Sequence, residues 1–589
     1  MKMKLPMVAC LAAAASVIPA GPAAGSSFGV RPAAFTVAVA SATTATGAAD
    51  EAVGQGGSTA AGGKFVVSFG STPEAATAAI EAAGGTVEDV TPQLGVALVT
   101  APDGTFMDKV RAGTGIRDAA RNHSVGVSRQ GMPHRYAEER LDADERAEAS
   151  RGGEAASLST HEPGAEPLSG LQWDMKMIGA TPDGAWEEAT GKGVDVGIMD
   201  TGIDAKHPDI APNFDAKRSR NFTTDIPDLD GPCEYTDCKD PANVDNDGHG
   251  THVAGIVAAA RNDFGIGGVA PDATLVNVRA GQDSGYFFLY ETVKALVYSG
   301  DTHLDVVNMS FYTDPWLFNC TSRDEYVSGT VTDAQLTGQR LTSELVLGAV
   351  KYASDRGVTL VAAAGNEHLD LAAPTRSDET SPDFPPDTAQ PRVVKNTCLN
   401  LPTEAPQVIS VSSVGPSGTK ADYSTYGFGD IEIAAPGGSF RDYFGTPQFR
   451  TPGNLILSSY PLQAAIEQGL ADPEGNPADA LSIKYCESGT CGFYTYLQGT
   501  SMASPHVVGV AALIVQERGR STDGGYALDP KTVARVMLRT ADDHACPVGG
   551  VEDYTDEGRT PDWNAVCEGT TENNGLYGEG IVDAENAVD

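Results

Sequence analysis

The chain has 589 residues, too many for one ordinary domain, and 41% of them are hydrophobic, enough for a sizeable core. Its 79 acidic and 40 basic side chains leave a net charge of −39, which excludes nucleic acid and anionic membrane surfaces as partners and favours solubility.

Residues 1–40 carry a secretory leader and the start of a spacer. Lys2 and Lys4 precede a mostly apolar 5–20, and small-residue cleavage sites follow between 20 and 40, among them Ala38-Val39-Ala40. Cys10 sits too early for a lipoprotein box. No later run of about 18 apolar residues exists, so no membrane anchor is expected. Residues 41–62 are rich in Ala, Gly, Ser and Thr and read as a flexible spacer.

Residues 63–126 form a small unit. A strand at 64–69 is followed by a helix at 72–83, stopped by Gly84-Gly85. Two strands lie within 86–100 around Pro92-Gln93-Leu94-Gly95. A short helix at 106–112 and a strand at 116–125 complete a β-α-β-β-α-β module, α+β and ferredoxin-like. Residues 127–170 are charged and aperiodic, a second linker.

The main domain spans 171–589. Apolar runs at 194–199, 275–278, 306–309, 358–363 and 408–411 alternate with helical segments near 252–260, 289–299 and 344–356. That alternation predicts an α/β fold of three layers, with a central parallel sheet covered on both faces. Sites in such sheets form where the strands end, so the polar residues just after the strands matter most.

Secretion permits disulfides. Without Cys10, eight cysteines remain. Cys233/Cys238 and Cys486/Cys491 are close enough for local bridges. Cys546/Cys567 and Cys320/Cys398 are the further pairs expected, among many alternatives.

Asp200 ends the first strand and Asn366 follows another. Ser501 precedes an apolar helix at 507–515, with Pro505 in its first turn and Ser501 at its N-terminus, where free N–H groups face an anion. His249 and His252 alone would suggest a metal hydrolase, but Gly250 and Thr251 between them offer no glutamate base.

Asp200-Thr201-Gly202-Ile203-Asp204, His249-Gly250-Thr251-His252-Val253-Ala254-Gly255 and Gly499-Thr500-Ser501-Met502-Ala503-Ser504-Pro505 resemble the three signatures of the subtilisin-like serine peptidases, in that family's order. The resemblance covers 171–589. It implies a secreted, monomeric endopeptidase acting on polypeptide through an acyl-enzyme: Ser501 as nucleophile, His249 as base, Asp200 orienting it, and Asn366 donating to the oxyanion. A neutral histidine suits the base role near neutral pH. Gly285, Ser310, Phe311, Ala362, Ala363 and Ala364 fall where the family lines its peptide cleft, implying a pocket for apolar or aromatic side chains. Tyr312 and Thr313 replace the glycine many members carry there.

The resemblance further implies structural calcium (Ca2+), with Asp209 and Asn262 matching family ligands and no match for its N-terminal ligand. The loop 225–247 is dense in carboxylates and reads mainly as a solvated surface. The 63–126 module resembles the family's propeptide, an intramolecular inhibitor released by cleavage within 130–170. Insertions stand at 321–343, 378–398 and 441–496. The competing readings are a narrow processing peptidase and a non-catalytic binding protein on the same fold.

Overall fold

The computed structural model describes residues 63–102, 104–122, 139, 141–152, 164–378, 380, 390–522 and 525–589. The expected leader and spacer, much of the 127–170 linker and about half of the 378–398 insertion lie outside the described residues.

The small unit has the expected order: β1 (Gly63–Phe69), α1 (Pro73–Ala83), β2 (Thr86–Thr91), β3 (Val96–Ala101), α2 (Phe106–Arg111) and β4 (Ile116–Arg121). Its antiparallel sheet runs β2-β3-β1-β4. Thr72 caps α1, and Gly84 ends it in a left-handed conformation, φ 98°, that favours glycine. Period-two alternation splits β1 between two cores. Phe65, Val67 and Phe69 pack under the unit's own helices, while Val66 joins Val96 and Ala120 against the main domain.

The main domain centres on seven parallel strands. In chain order these include β5 (Asp195–Met199), β6 (Arg220–Asn221), β7 (Thr274–Arg279), β8 (Val306–Met309), β9 (Thr359–Ala363), β10 (Val408–Val414) and β11 (Ile433–Pro436). Spatially they run β11-β10-β9-β8-β5-β7-β6. The five sequence-predicted strands are all present. Val196, Ile198, Leu275, Val361 and Val411 face a core shared with α4 (His249–Ala258) and with a later, central helix. Met199, Val276, Val278, Leu360 and Ala362 face α5 (Leu289–Asp301) and α6 (Asp333–Ser354). Two buried faces explain why these strands are almost continuously apolar.

Helix α6 starts 11 residues before the expected 344, so much of the 321–343 insertion is helix. The Thr332/Gln335 capping box was the available start signal. The insertion at 441–496 builds an antiparallel sheet from β12 (Ile456–Ser459), β13 (Ser482–Glu487) and β14 (Thr490–Leu497). All four expected disulfides form: Cys233–Cys238, Cys320–Cys398, Cys486–Cys491 and Cys546–Cys567.

Helix α7 (Thr500–Arg518) crosses the centre of the domain and is buried through Val515. It starts seven residues before the predicted 507. Pro505 therefore lies beyond its first turn, which corrects the sequence expectation. Proline removes the N–H that would bond the Ser501 carbonyl. The Ser310 hydroxyl donates to that carbonyl instead, at 3.2 Å.

Among the described residues, no helix is long and apolar enough to cross a membrane.

Candidate active site

Parallel register brings the strand ends together, pairing Met199 with Met309 and Met309 with Ala362. Asp200, Ser310 and Ala364 consequently follow the strands at one edge of the sheet.

Asp200 is fully buried. Its Oδ1 lies 2.7 Å from His249 Nδ1 and also accepts the Thr201 N–H at 2.7 Å. His249 occupies the first turn of α4. A Cβ on Gly250 would come within 2.2 Å of the Gly202 carbonyl oxygen and 3.1 Å of Asp200 Cβ, so glycine lets the helix approach the strand end.

Asp245, which sequence reasoning did not single out, braces this corner. Its carboxylate accepts from the hydroxyls of Thr201 (3.1 Å) and Thr251 (2.6 Å) and from the N–H groups of Gly248 and Thr251. His252 turns away, with Nε2 3.1 Å from the Thr495 carbonyl, and burial lowers its pKa to about 3. The two histidines thus share no metal.

Ser501 is in the first turn of α7, beside Asn366. The Asn366 Oδ1 accepts both the backbone N–H and the hydroxyl of Thr500, each at 2.9 Å. These bonds turn its amide nitrogen outward. The nitrogen donates to Glu139 Oε1 at 3.0 Å.

Glu139 is the unexpected member. It comes from the linker after the small unit and is 2% exposed. Its other carboxylate oxygen lies 3.1 Å from His249 Nε2, and its backbone carbonyl accepts the Gln498 N–H at 3.2 Å. One carboxyl group therefore bridges the histidine and the amide donor. Burial drives the His249 imidazole towards neutrality, but Asp200 and Glu139 outweigh it and hold its pKa well above 6.5. One glutamate in a charged linker carries no sequence signal for such a position.

The expected cleft residues are mixed in placement. Gly285 turns with φ 81°. Phe311 stacks on Phe287, with ring centroids 4.0 Å apart. The Ser310 hydroxyl points behind Ser501, 2.8 Å from that of Ser504. Ala362 packs with the α5/α6 core, Ala364 with a separate buried cluster, and Ala363 is buried at the end of β9.

A second group of oxygens gathers around the loop 262–266. Asp209 Oδ2 accepts from Tyr494 (2.8 Å) and the Ile266 N–H (3.1 Å), while Asp209 Oδ1 and Asn262 Oδ1 are buried without a protein donor. Glu166 is 4% exposed and accepts the Phe264 N–H at 2.7 Å in the same loop. Burial raises Asp209 and Glu166 to about 7 each, and each of the two has a second carboxylate opposing its ionisation, Glu166 for Asp209 and Asp263 for Glu166.

The loop 225–247 is not simply solvated. Asp225, Asp240, Asp245 and Asp247 are buried. Arg279, at the end of β7, pairs with Asp240 and Asp283 at 2.7 Å each. A buried cation thus organises acids that looked like surface.

The family model described as the subtilase family matches residues 191–578. Thermitase of Thermoactinomyces vulgaris is 27% identical over 383 residues, covering 65% of this chain and 91% of that protein. Fervidolysin of Fervidobacterium pennivorans is 27% identical over 361 residues, covering 60% of the chain and 38% of that protein. Among solved structures, the epidermin leader peptide processing serine protease of Staphylococcus aureus superposes with a TM-score of 0.55 at 19% identity, covering 89% of this chain and 97% of that one.

Proposed function

Since the chain belongs to the subtilase family, we propose that it is a secreted serine endopeptidase made as an inhibited precursor, cutting polypeptide with Ser501, His249 and Asp200. The observation that carries this reading is the buried run Asp200–His249–Glu139–Asn366, a carboxylate held between the candidate base and the candidate oxyanion donor.

In the reaction, Ser501 Oγ attacks the carbonyl carbon and its proton passes to His249 Nε2. Asp200 fixes the ring with Nδ1–H towards its carboxylate and stabilises the imidazolium. Asn366 Nδ2 and the Ser501 N–H hold the oxyanion. His249 then gives its proton to the leaving amine, and water, deprotonated by the same ring, releases the acyl group. The small unit at 63–126 serves as the inhibitor of the precursor, docked through Asn122 on Glu291 (2.9 Å) and Gln93 on Asp301 (2.7 Å). Incubation of the processed protein with unfolded casein tests the reading. Cleavage at many sites is expected; a single cut would indicate a narrow processing peptidase, and no cut would refute the reading.

The pH dependence follows from His249. Its raised pKa means that the ion pair with Glu139 is intact at and below the ordinary 6.5 and is lost as pH rises through the raised value. The same deprotonation creates the base. Asp200 and Glu139 face the ring, and Asp247 accepts its backbone N–H. The rate of Ser501 phosphonylation in the full-length chain should therefore rise at a pH above the ordinary imidazole range, and Glu139→Gln should move that rise to lower pH. An unshifted profile would exclude Glu139 from control of His249.

Asp209, Asn262 and Glu166 fit a hard cation, because two orphan oxygens and two buried carboxyls converge in one loop region. We assign them to calcium, with Glu166 as the N-terminal ligand missing from the sequence reading. The ion would supply rigidity there. A chelator should lower Tm by the equivalent of about 3–4 kcal/mol if calcium is at 100–1,000 times its Kd, and should affect the initial rate less. An unchanged Tm would remove the assignment.

A further inference from the structure

The Glu139 segment does not end at the catalytic centre. Its continuation forms α3 (Ala143–Gly152), capped by Asp142, whose Oδ1 accepts the N–H groups of Asp144 (2.9 Å) and Glu145 (2.8 Å). Leu141 and Ala149 are buried in a cluster with Phe440, Leu457, Leu481 and Tyr496. Glu145 and Glu148, one turn apart, meet two cations. Arg441 Nη2 donates to Glu145 Oε1 at 2.9 Å, and Arg450 Nη1 donates to Glu148 Oε2 at 2.7 Å. Arg146 adds a reverse pair, donating to Asp479 at 2.8 Å.

The receiving loop is specialised. In a chain of net charge −39, it carries Arg441 and Arg450, and Arg559 lies nearby, with the buried Asp422 carboxylate 3.5 Å from Arg441 and 2.5 Å from Arg559. A Cβ on Gly558 would lie 3.8 Å from Arg441 and 3.9 Å from Arg450, so the two guanidiniums flank one point. Tyr443 and Arg450 both hold left-handed backbone, φ 59° and 57°, rare for side chains of this size. Left-handed backbone at two large side chains, and two arginines turned to one segment, mark a loop shaped for something other than stability.

Chain direction identifies the occupant. Glu139 lies at His249 and Asn366, and the residues after it run over Arg441 and Arg450. A substrate running the same way places its portion C-terminal to the cut on these arginines. We propose that the surface of the loop 440–450 is an exosite for acidic polypeptide C-terminal to the scissile bond, covered in the precursor by segment 139–152 as a tethered inhibitor. This inference rests on the serine endopeptidase reading for its use in catalysis, but not for binding.

Binding is tested in the full-length Ser501→Ala protein with a fluorescein-labelled peptide of sequence 139–152, followed by anisotropy. The tethered copy should exclude the peptide, and Glu145→Lys/Glu148→Lys in the chain should admit it. Arg441→Glu/Arg450→Glu, placed instead in the chain that keeps Glu145 and Glu148, should also free the site, but for a peptide bearing lysine at both positions and not for the native one. Turnover is tested in the processed enzyme with peptides carrying glutamate or glutamine six and nine residues beyond the position equivalent to Glu139. The acidic peptide should have a kcat/KM roughly tenfold higher at low salt, a preference lost in 0.5 M salt, as expected for two partly exposed ion pairs. Equal kcat/KM for the two peptides, or binding indifferent to the charge swap, would overturn the exosite. Charge-dependent binding with no hydrolysis of any peptide would instead overturn the endopeptidase reading alone.

Discussion

Ser501→Ala is expected to abolish turnover, with a fall of about 10^6-fold in kcat, the loss found when the serine of a subtilisin triad is removed. The physical reason is that, among the described residues, no other hydroxyl or thiol is placed beside His249 to form the acyl-enzyme. Asp200 is committed to Nδ1, and the Thr500 hydroxyl is held by Asn366. The substitution removes one oxygen from a site 4% exposed, on a helix buried through Val515, so folding should be retained. The precursor should accumulate uncut if maturation is intramolecular. Normal kcat on a peptide substrate, or self-processing of purified Ser501→Ala protein, would contradict the assigned nucleophile.

Asn366→Ala is expected to lower kcat by about 10^2–10^3-fold, the cost known for the side-chain oxyanion donor of subtilisin, with KM little changed. The donor is aimed by its own acceptor: Oδ1 takes two bonds from Thr500, which leaves Nδ2 directed at the position of the Glu139 carboxylate. Alanine also leaves the Thr500 donors without that acceptor, so a stability loss of about 1–3 kcal/mol should accompany the kinetic effect. Steady-state kinetics and a thermal melt separate the two. A raised KM with unchanged kcat would place Asn366 in ground-state binding rather than at the oxyanion.

The sequence foreshadowed the core geometry because parallel strands buried on both faces leave long apolar runs, and the polar residue that ends each run stands out. Asp200 and Asn366 were visible for that reason, and Ser501 because an apolar helix follows it. The start of α7 was misplaced because Pro505 suggested a first turn, whereas the Ser310 hydroxyl takes over the backbone acceptor that proline leaves open. The early start of α6 was hidden by its weakly patterned first turns, although Thr332 and Gln335 marked it. Glu139, Asp245, Glu166 and Arg279 were not singled out because each acts through partners distant in sequence. Glu139 reaches Asn366 across 227 positions. Buried acids of the loop 225–247 looked solvated because the cation that holds Asp240 lies at the end of β7, distant in sequence.

The most direct measurement is mass mapping of the processed protein after reaction with a serine-directed phosphonate. One adduct is expected, on Ser501, with labelling that disappears in Ser501→Ala and slows as His249 becomes protonated. Labelling of equal extent in wild type and Ser501→Ala, or an adduct on any other residue, would contradict the account.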